Sequence, residues 1–208
     1  VENQSMGGIS VYSDSIHLNL RNPASYAGSN LKFYNNEARP IKFTVGGSQS
    51  SVKLKTESAN DNSNTTTFDY LALAVPLGKF GAGFGIIPYS SVGYKLQSID
   101  ADDVLLYKYR GEGGLNKVFV GVGYQLTKDL RLGVDTHYNF GNITNTNIAY
   151  GYNDEGEFLQ YHSREVNRSD LGGLSFNFGI IYSKLIQDNL ELTASATFSP
   201  ASNLSSEN

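Results

Sequence analysis

The sequence predicts an all-β protein, built as an antiparallel up-and-down β-barrel that crosses a membrane. Apolar and polar residues alternate with a period of two over segments of up to eleven residues, which is a strand signal. The connections between these segments alternate between short and long. Only 17% of the 208 residues are charged, below the roughly 25% of an ordinary soluble domain. Gly, Tyr and Phe are enriched instead, at 22, 14 and 11 residues.

The segment from Leu130 to Phe140 shows the clearest alternation. Its even positions carry Leu, Leu, Val, Thr, Tyr and Phe, and its odd positions carry polar or small residues, among them Arg131, Asp135 and His137. A helix cannot produce this period. We therefore predict a strand whose even side chains face lipid and whose Arg131, Asp135 and His137 side chains face the lumen.

Similar alternation predicts about seven strands in chain order. The alternating segments are 41–45, 71–75, 80–86, 118–126, 130–140, 174–182 and 190–198.

The connections differ at the two ends of these strands. Short turns are predicted at 76–79, 127–129 and 187–189, and long connections at about 56–67, 98–111 and 142–169. Outer-membrane barrels have short turns on one side and long loops on the other. A soluble sandwich or lipocalin-like barrel also alternates, but it has no reason to collect its short turns at one end. The pattern favours the membrane barrel over this alternative.

The first 39 residues lack the alternation. Small residues and turn formers dominate, and Asn22 before Pro23 favours a turn. Irregular backbone is tolerated inside a membrane protein where lipid does not reach it. We therefore predict two regions, a lumenal hatch at 1–39 and the barrel strands at 40–208. The run from Arg21 to Ala24 either anchors this hatch or takes part in gating.

Composition and residue placement exclude several functions. The net charge is -4 and the pI about 5.3, so the sequence predicts no nucleic-acid partner. The chain has no Cys, which removes disulfides and Cys-ligated metals. Its three His show no convergence with other ligands or with a nucleophile. We expect no catalytic residues, no metal, no cofactor and no enzymatic activity.

The N-terminal motif resembles the hatch of the long-chain fatty-acid transporter (FadL) family of Gram-negative outer membranes, in a Bacteroidetes-like version. The residues that carry the resemblance are Gly7, Gly8, Asp14, Arg21, Asn22, Pro23 and Ala24. The resemblance implies a 14-stranded barrel with an N-terminal hatch, of which this chain looks like the N-terminal half. It also implies a bacterial outer-membrane location, contact with lipid or detergent, and passive uptake of a hydrophobic small molecule.

Pro88 lies in the middle of the predicted third strand, where it removes a backbone donor. In the resembled family this strand is kinked and leaves a lateral opening, which implies that Pro88, Tyr89 and Ser90 line such an opening here. The alternative interpretation is a bulge with no role in transport.

A second function class remains open from the sequence. A transporter-like barrel also suits a plug or accessory interaction subunit of an outer-membrane protein-secretion translocon of the type IX kind. Its partner would be an outer-membrane protein complex. A transporter needs an apolar pocket between hatch and wall, whereas an interaction subunit needs an outer contact patch.

Overall fold

The computed structural model describes residues 18–27, 41–55, 60–100, 102, 104–153, 156–157, 159, 162–187 and 190–207. Gly7 and Gly8, and with them most of the predicted hatch, lie outside these residues. The described part contains a 3₁₀ turn at Pro23–Tyr26 and eight β-strands. The strands are β1 Lys42–Lys55, β2 Asn60–Leu77, β3 Phe80–Ile99, β4 Leu105–Gln125, β5 Leu130–Ala149, β6 Ser163–Gln187, β7 Leu190–Phe198 and β8 Ser205–Glu207.

The strands form one sheet in chain order. The order is β1-β2-β3-β4-β5-β6-β7, and β8 pairs with β6 beside β7. The β6–β7 pairing runs from Phe178↔Phe198 to Gln187↔Leu190, and β8 pairs with β6 around Leu171↔Ser206. An all-β, antiparallel, up-and-down sheet is therefore confirmed.

The strands are longer than the alternation predicted, and the long connections are correspondingly shorter. β2 begins at Asn60 and β5 ends at Ala149, inside two of the predicted connections. β3 ends at Ile99 and β4 begins at Leu105, so the predicted connection 98–111 is mostly strand. The prediction of these loops was wrong, because polar residues that break an apolar pattern still pair through their backbones.

The exposed face of the sheet is apolar and the buried face is polar. On β5, Leu132 and Val134 are each 38% exposed, whereas Arg131 is 4% and Asp135 0% exposed. On β7, alternate residues from Leu190 to Phe198 are exposed and apolar, and they extend about 27 Å along the strand. None of the described residues forms a helix long and apolar enough to cross a membrane.

The chain divides into two compact units, each with its own contacts. The first comprises the described residues within Val1–Ile87, Val118–His137 and Ser175–Ser202. Its buried cluster consists of Tyr26, Ala72 and Phe119.

The second unit comprises the described residues within Pro88–Lys117, Tyr138–Leu174 and Asn203–Asn208. Side chains brace its strands: the Tyr94 hydroxyl donates to Asn145 Oδ1 at 3.2 Å, and the Tyr152 hydroxyl donates to the Leu105 carbonyl at 2.6 Å.

Candidate functional site

The candidate site lies in the first unit, where residues Leu18–Ala27, here called the docked segment, pack on the buried face of the sheet. Every residue from Asn22 to Ala27 is buried, and Ala24 and Ala27 have no exposed surface. The 3₁₀ turn Pro23–Tyr26 begins with Pro, whose fixed φ suits a first helical position. The predicted Asn-Pro turn is present.

Asn22 joins this turn to the sheet. Its side-chain oxygen accepts from the Ala24 backbone amide at 3.0 Å and so caps the turn. Its side-chain amide donates to the carbonyls of Ile180 on β6 and Ala196 on β7, at 3.2 and 3.4 Å. Ile180 and Ala196 are paired across the two strands. One buried side chain therefore fixes the turn and attaches it to a strand pair.

A side chain of the sheet also forms a hydrogen bond with the backbone of the docked segment. The Asn177 side-chain amide donates to the Arg21 carbonyl at 3.1 Å, and the Ser199 hydroxyl donates to Asn177 Oδ1 at 3.0 Å. Within the segment, Asn19 Oδ1 accepts from the backbone amides of Arg21 and Asn22 at 3.0 and 3.3 Å. Arg21 itself is exposed.

Glycines of β3, β4, β5 and β6 form a bare-backbone surface under the docked segment. A Cβ at any of them would overlap atoms of residues 22–27. We call this surface the glycine floor, and it consists of Gly81, Gly83, Gly121, Gly123, Gly133 and Gly179. All six glycines lie at the polar or small positions of the alternating segments, but the alternation did not predict that the N-terminal segment packs on them.

The Tyr26 ring lies over Gly83 and Gly121, and the Asp135 carboxylate lies beside it over Gly121. Burial raises the pKa of the Tyr26 hydroxyl above its ordinary value, and the Asp135 charge raises it further. The carboxylate faces this hydroxyl and the side-chain amide of Asn177. Neither carboxylate oxygen is in hydrogen-bond geometry with a donor.

Further buried polar atoms of the first unit do not meet hydrogen-bond geometry with any partner. They are the Tyr26 hydroxyl, Gln125 Oε1 and Arg131 Nη1. The other Arg131 nitrogen, Nη2, donates to the Ser183 hydroxyl at 3.1 Å. An unpaired buried polar group costs about 1–3 kcal/mol.

The structure places Arg131 and Asp135 on the buried face and His137 half-buried beside them. His137 Nε2 lies 4.0 Å from Asp135 Oδ2, and the His137 ring meets Phe119 edge-on. Whether this face lines a lumen stays a prediction. Among the described residues, no group of three or more His, Cys, Asp or Glu is placed to hold a metal.

Pro88 begins the second unit, just after the β2–β3 register, which runs from Leu77↔Phe80 to Leu71↔Ile86. Tyr89 is 63% exposed, and the Lys117 ammonium lies 4.3 Å from the centroid of its ring. Ser90 is exposed as well. A lateral opening lined by Pro88, Tyr89 and Ser90 stays a prediction.

These features define the class of the molecule: an up-and-down antiparallel sheet with an apolar exposed face, a polar buried face and an internally docked N-terminal segment. Such a distribution of polarity is typical of outer-membrane β-structure. The BamG family model matches residues 1–208. The chain therefore belongs to the BamG family, and its location is the bacterial outer membrane. No curated protein and no solved structure matches the chain.

The family match corrects the functional predictions. The assignment to the fatty-acid transporter (FadL) family was wrong, and so were FadL-like lipid transport and uptake of a hydrophobic compound. The translocon alternative was closer, because it predicted an outer-membrane protein complex as partner, but protein secretion is not the role the family suggests. Alternating strands and a capped Asn-Pro turn indicate the fold, and a fold by itself does not specify a function.

Proposed function

We propose that this protein is a membrane-embedded component of the outer-membrane protein assembly (BAM) complex. The BamG match over residues 1–208 carries this proposal. The sheet would supply an anchor and an interaction scaffold, and the role requires no catalytic residue and no cofactor.

The polarity of the surface supports a place within the bilayer. Phe176, Phe178, Ile180 and Tyr182 are between 38% and 46% exposed on one face of β6, and Asn177 on the other face is 7% exposed. In water such a surface would favour aggregation. In lipid it is the stable orientation, because apolar side chains meet acyl chains and polar groups are kept inside.

The bilayer also constrains the edges of the sheet. Unpaired backbone groups of an open edge are costly in hydrocarbon, so we propose that the sheet belongs to a closed barrel. The docked segment would then be the described part of a lumenal hatch. The strand number of fourteen rested on the transporter resemblance and is not part of this proposal.

Affinity purification combined with depletion tests the assignment. We expect the tagged protein, extracted in mild detergent, to purify with other outer-membrane assembly proteins. We expect its depletion to lower the amounts of several unrelated outer-membrane barrels together, while inner-membrane proteins stay constant. Quantitative mass spectrometry of separated membranes measures both effects.

A tagged Val134→Arg variant serves as the matched control, because a charge on the exposed face should lower the amount of protein that inserts. It should purify with correspondingly less of the complex. If the parent protein purifies alone, and depletion leaves barrel amounts unchanged, the proposal is wrong.

A further inference from the structure

The hairpin of β1 and β2 extends past the apolar surface of the sheet as a two-stranded ribbon. Residues 47–55 pair with residues 60–68 without a register shift, over a length of about 30 Å. We call these two stretches the polar ribbon, because Ser, Thr, Asn and Gln supply most of its residues. Just before it on β1, Phe43 and Val45 are 65% and 60% exposed. In the proposed membrane orientation the polar ribbon therefore lies beyond the hydrocarbon, in water.

Strand β2 has a paired strand on both sides only near its end. Its pairing with β3 runs from Leu77↔Phe80 to Leu71↔Ile86, whereas its pairing with β1 continues to the start of the strand. Among the described strands, residues 63–70 of β2 therefore have β1 on one side and no strand on the other. We call this second side the open edge. Its backbone N–H and C=O groups are available to a further strand.

The open edge lacks the features that usually keep an exposed edge from pairing. Such features are lysines, prolines and bulges. The β1 side of the polar ribbon has them, with a register shift before Gly47 and lysines at Lys53 and Lys55. Residues 63–68 read Ser-Asn-Thr-Thr-Thr-Phe and contain no charge, no Pro and no Gly. The two edges of the ribbon thus differ, and the β2 edge is the one suited to pairing.

The faces of the polar ribbon offer little surface on which a partner could pack. Val52 and Phe68 are the exposed apolar side chains among those that the structure describes in the ribbon. At its base, Asp69 Oδ1 accepts from the Ser48 and Thr67 hydroxyls at 2.9 and 3.1 Å, so this carboxylate is already bonded. Recognition of a partner therefore depends on the backbone of the open edge.

We infer that the open edge of β2 binds an extended segment of a partner protein, which adds to the hairpin as an antiparallel strand. The inference rests on the proposed function, since the partner belongs to the assembly complex. The added strand continues the antiparallel β2–β3 ladder and bonds to the backbone of residues 63–70. Opposite Thr65 to Thr67, Ser, Thr or β-branched residues make the best cross-strand pairs. The segment also supplies a third strand, without which a two-stranded ribbon is only marginally stable in water.

Amide hydrogen exchange at residue resolution tests this inference on the full protein, alone and within the purified complex in the same detergent. Successive amides of a strand point to opposite sides. In the protein alone, alternate amides of residues 63–70 bond to β1 and exchange slowly, and those between them exchange fast. We expect the fast set to slow about tenfold or more in the complex, so that the alternation disappears. The amides of residues 47–55 are the internal control and should keep their rates.

Two proline variants test the same edge independently. Thr65→Pro and Thr66→Pro remove neighbouring backbone donors, of which one faces β1 and the other the open edge. The variant that loses the outward donor should keep the β1–β2 ladder, seen as unchanged slow amides in the protein alone. In the complex, its remaining outward amides should stay in fast exchange.

Persistent alternation in a complex that does purify together overturns this inference and leaves the proposed function intact. Equal slowing of residues 47–55 also contradicts it, because a partner would then cover a face of the ribbon. Slow outward amides in the protein alone would show that a second copy or another strand of this chain occupies the edge, which is equally contrary. A protein that purifies without other assembly proteins contradicts both the inference and the proposed function.

Discussion

The side-chain amide of Asn22 donates a hydrogen bond of 3.2 Å to the carbonyl of Ile180, across 158 positions of sequence. The same amide reaches Ala196, the cross-strand partner of Ile180. The N-terminal turn is thereby attached to β6 and β7, the last long strands of the described chain. Stability of the docked segment and of this strand pair should therefore be linked.

Replacing Asn22 should loosen the docked segment. Asn22→Ala removes the turn cap and both bonds to the sheet, and we expect a loss of about 2–3 kcal/mol of unfolding free energy. Denaturant titration of the protein in detergent measures this. Asn142→Ala, which truncates an exposed amide on β5, should change stability by less than about 0.5 kcal/mol. Equal losses in the two variants would contradict the anchoring role.

A methyl group on the glycine floor should displace the docked segment. The Cβ of Gly121→Ala would overlap Asp135 and the Tyr26 ring, and such overpacking costs about 1–3 kcal/mol. We expect faster amide hydrogen exchange throughout residues 18–27. Gly93→Ala is the matched control, because no atom lies within 4 Å of its added Cβ. Unchanged exchange in Gly121→Ala would show that the floor does not hold the segment.

The ring and the hydroxyl of Tyr26 should contribute very differently. Tyr26→Phe removes a buried hydroxyl that faces the Asp135 carboxylate outside good hydrogen-bond geometry, so stability should stay within about 0.5 kcal/mol of the parent. Tyr26→Ala leaves a cavity beside Ala72 and Phe119 and should cost about 3–5 kcal/mol. Chemical denaturation distinguishes them. A large loss in Tyr26→Phe would mean that the hydroxyl is bonded after all.

The exposed face of β5 should tolerate charge poorly in a bilayer. Val134→Arg should cost about 2–4 kcal/mol if position 134 lies at the midplane, measured as folding yield into lipid vesicles. Val52→Arg, on the polar part of β1, should fold nearly as well as the parent. In single-Cys variants, position 134 should be shielded from a water-soluble thiol reagent when lipid is present. Efficient labelling of position 134 in vesicles would argue against lipid contact.

Much of the fold could be read from the sequence because a strand exposes alternate residues to opposite environments. The period of two from Leu130 to Phe140 identified a strand and separated the side that carries Asp135 from the side that carries Val134. Asn22 before Pro23 identified a turn for similarly local reasons. The strand ends could not be predicted in the same way. Polar residues such as those after Asn60 pair through their backbones, and the side-chain pattern carries no information about that pairing.

The sequence by itself thus determined the strand order, the two faces of the sheet and the position of the N-terminal turn, all of which depend on residues near one another in the chain. Only the tertiary structure brought Asn22 to Ile180, placed Tyr26 between Gly83 and Gly121, and set the buried carboxylate of Asp135 beside the Tyr26 hydroxyl. Those relationships depend on which distant strands approach the same few residues. A glycine in an alternating pattern looks the same whether a side chain, a lipid or another part of the backbone lies above it.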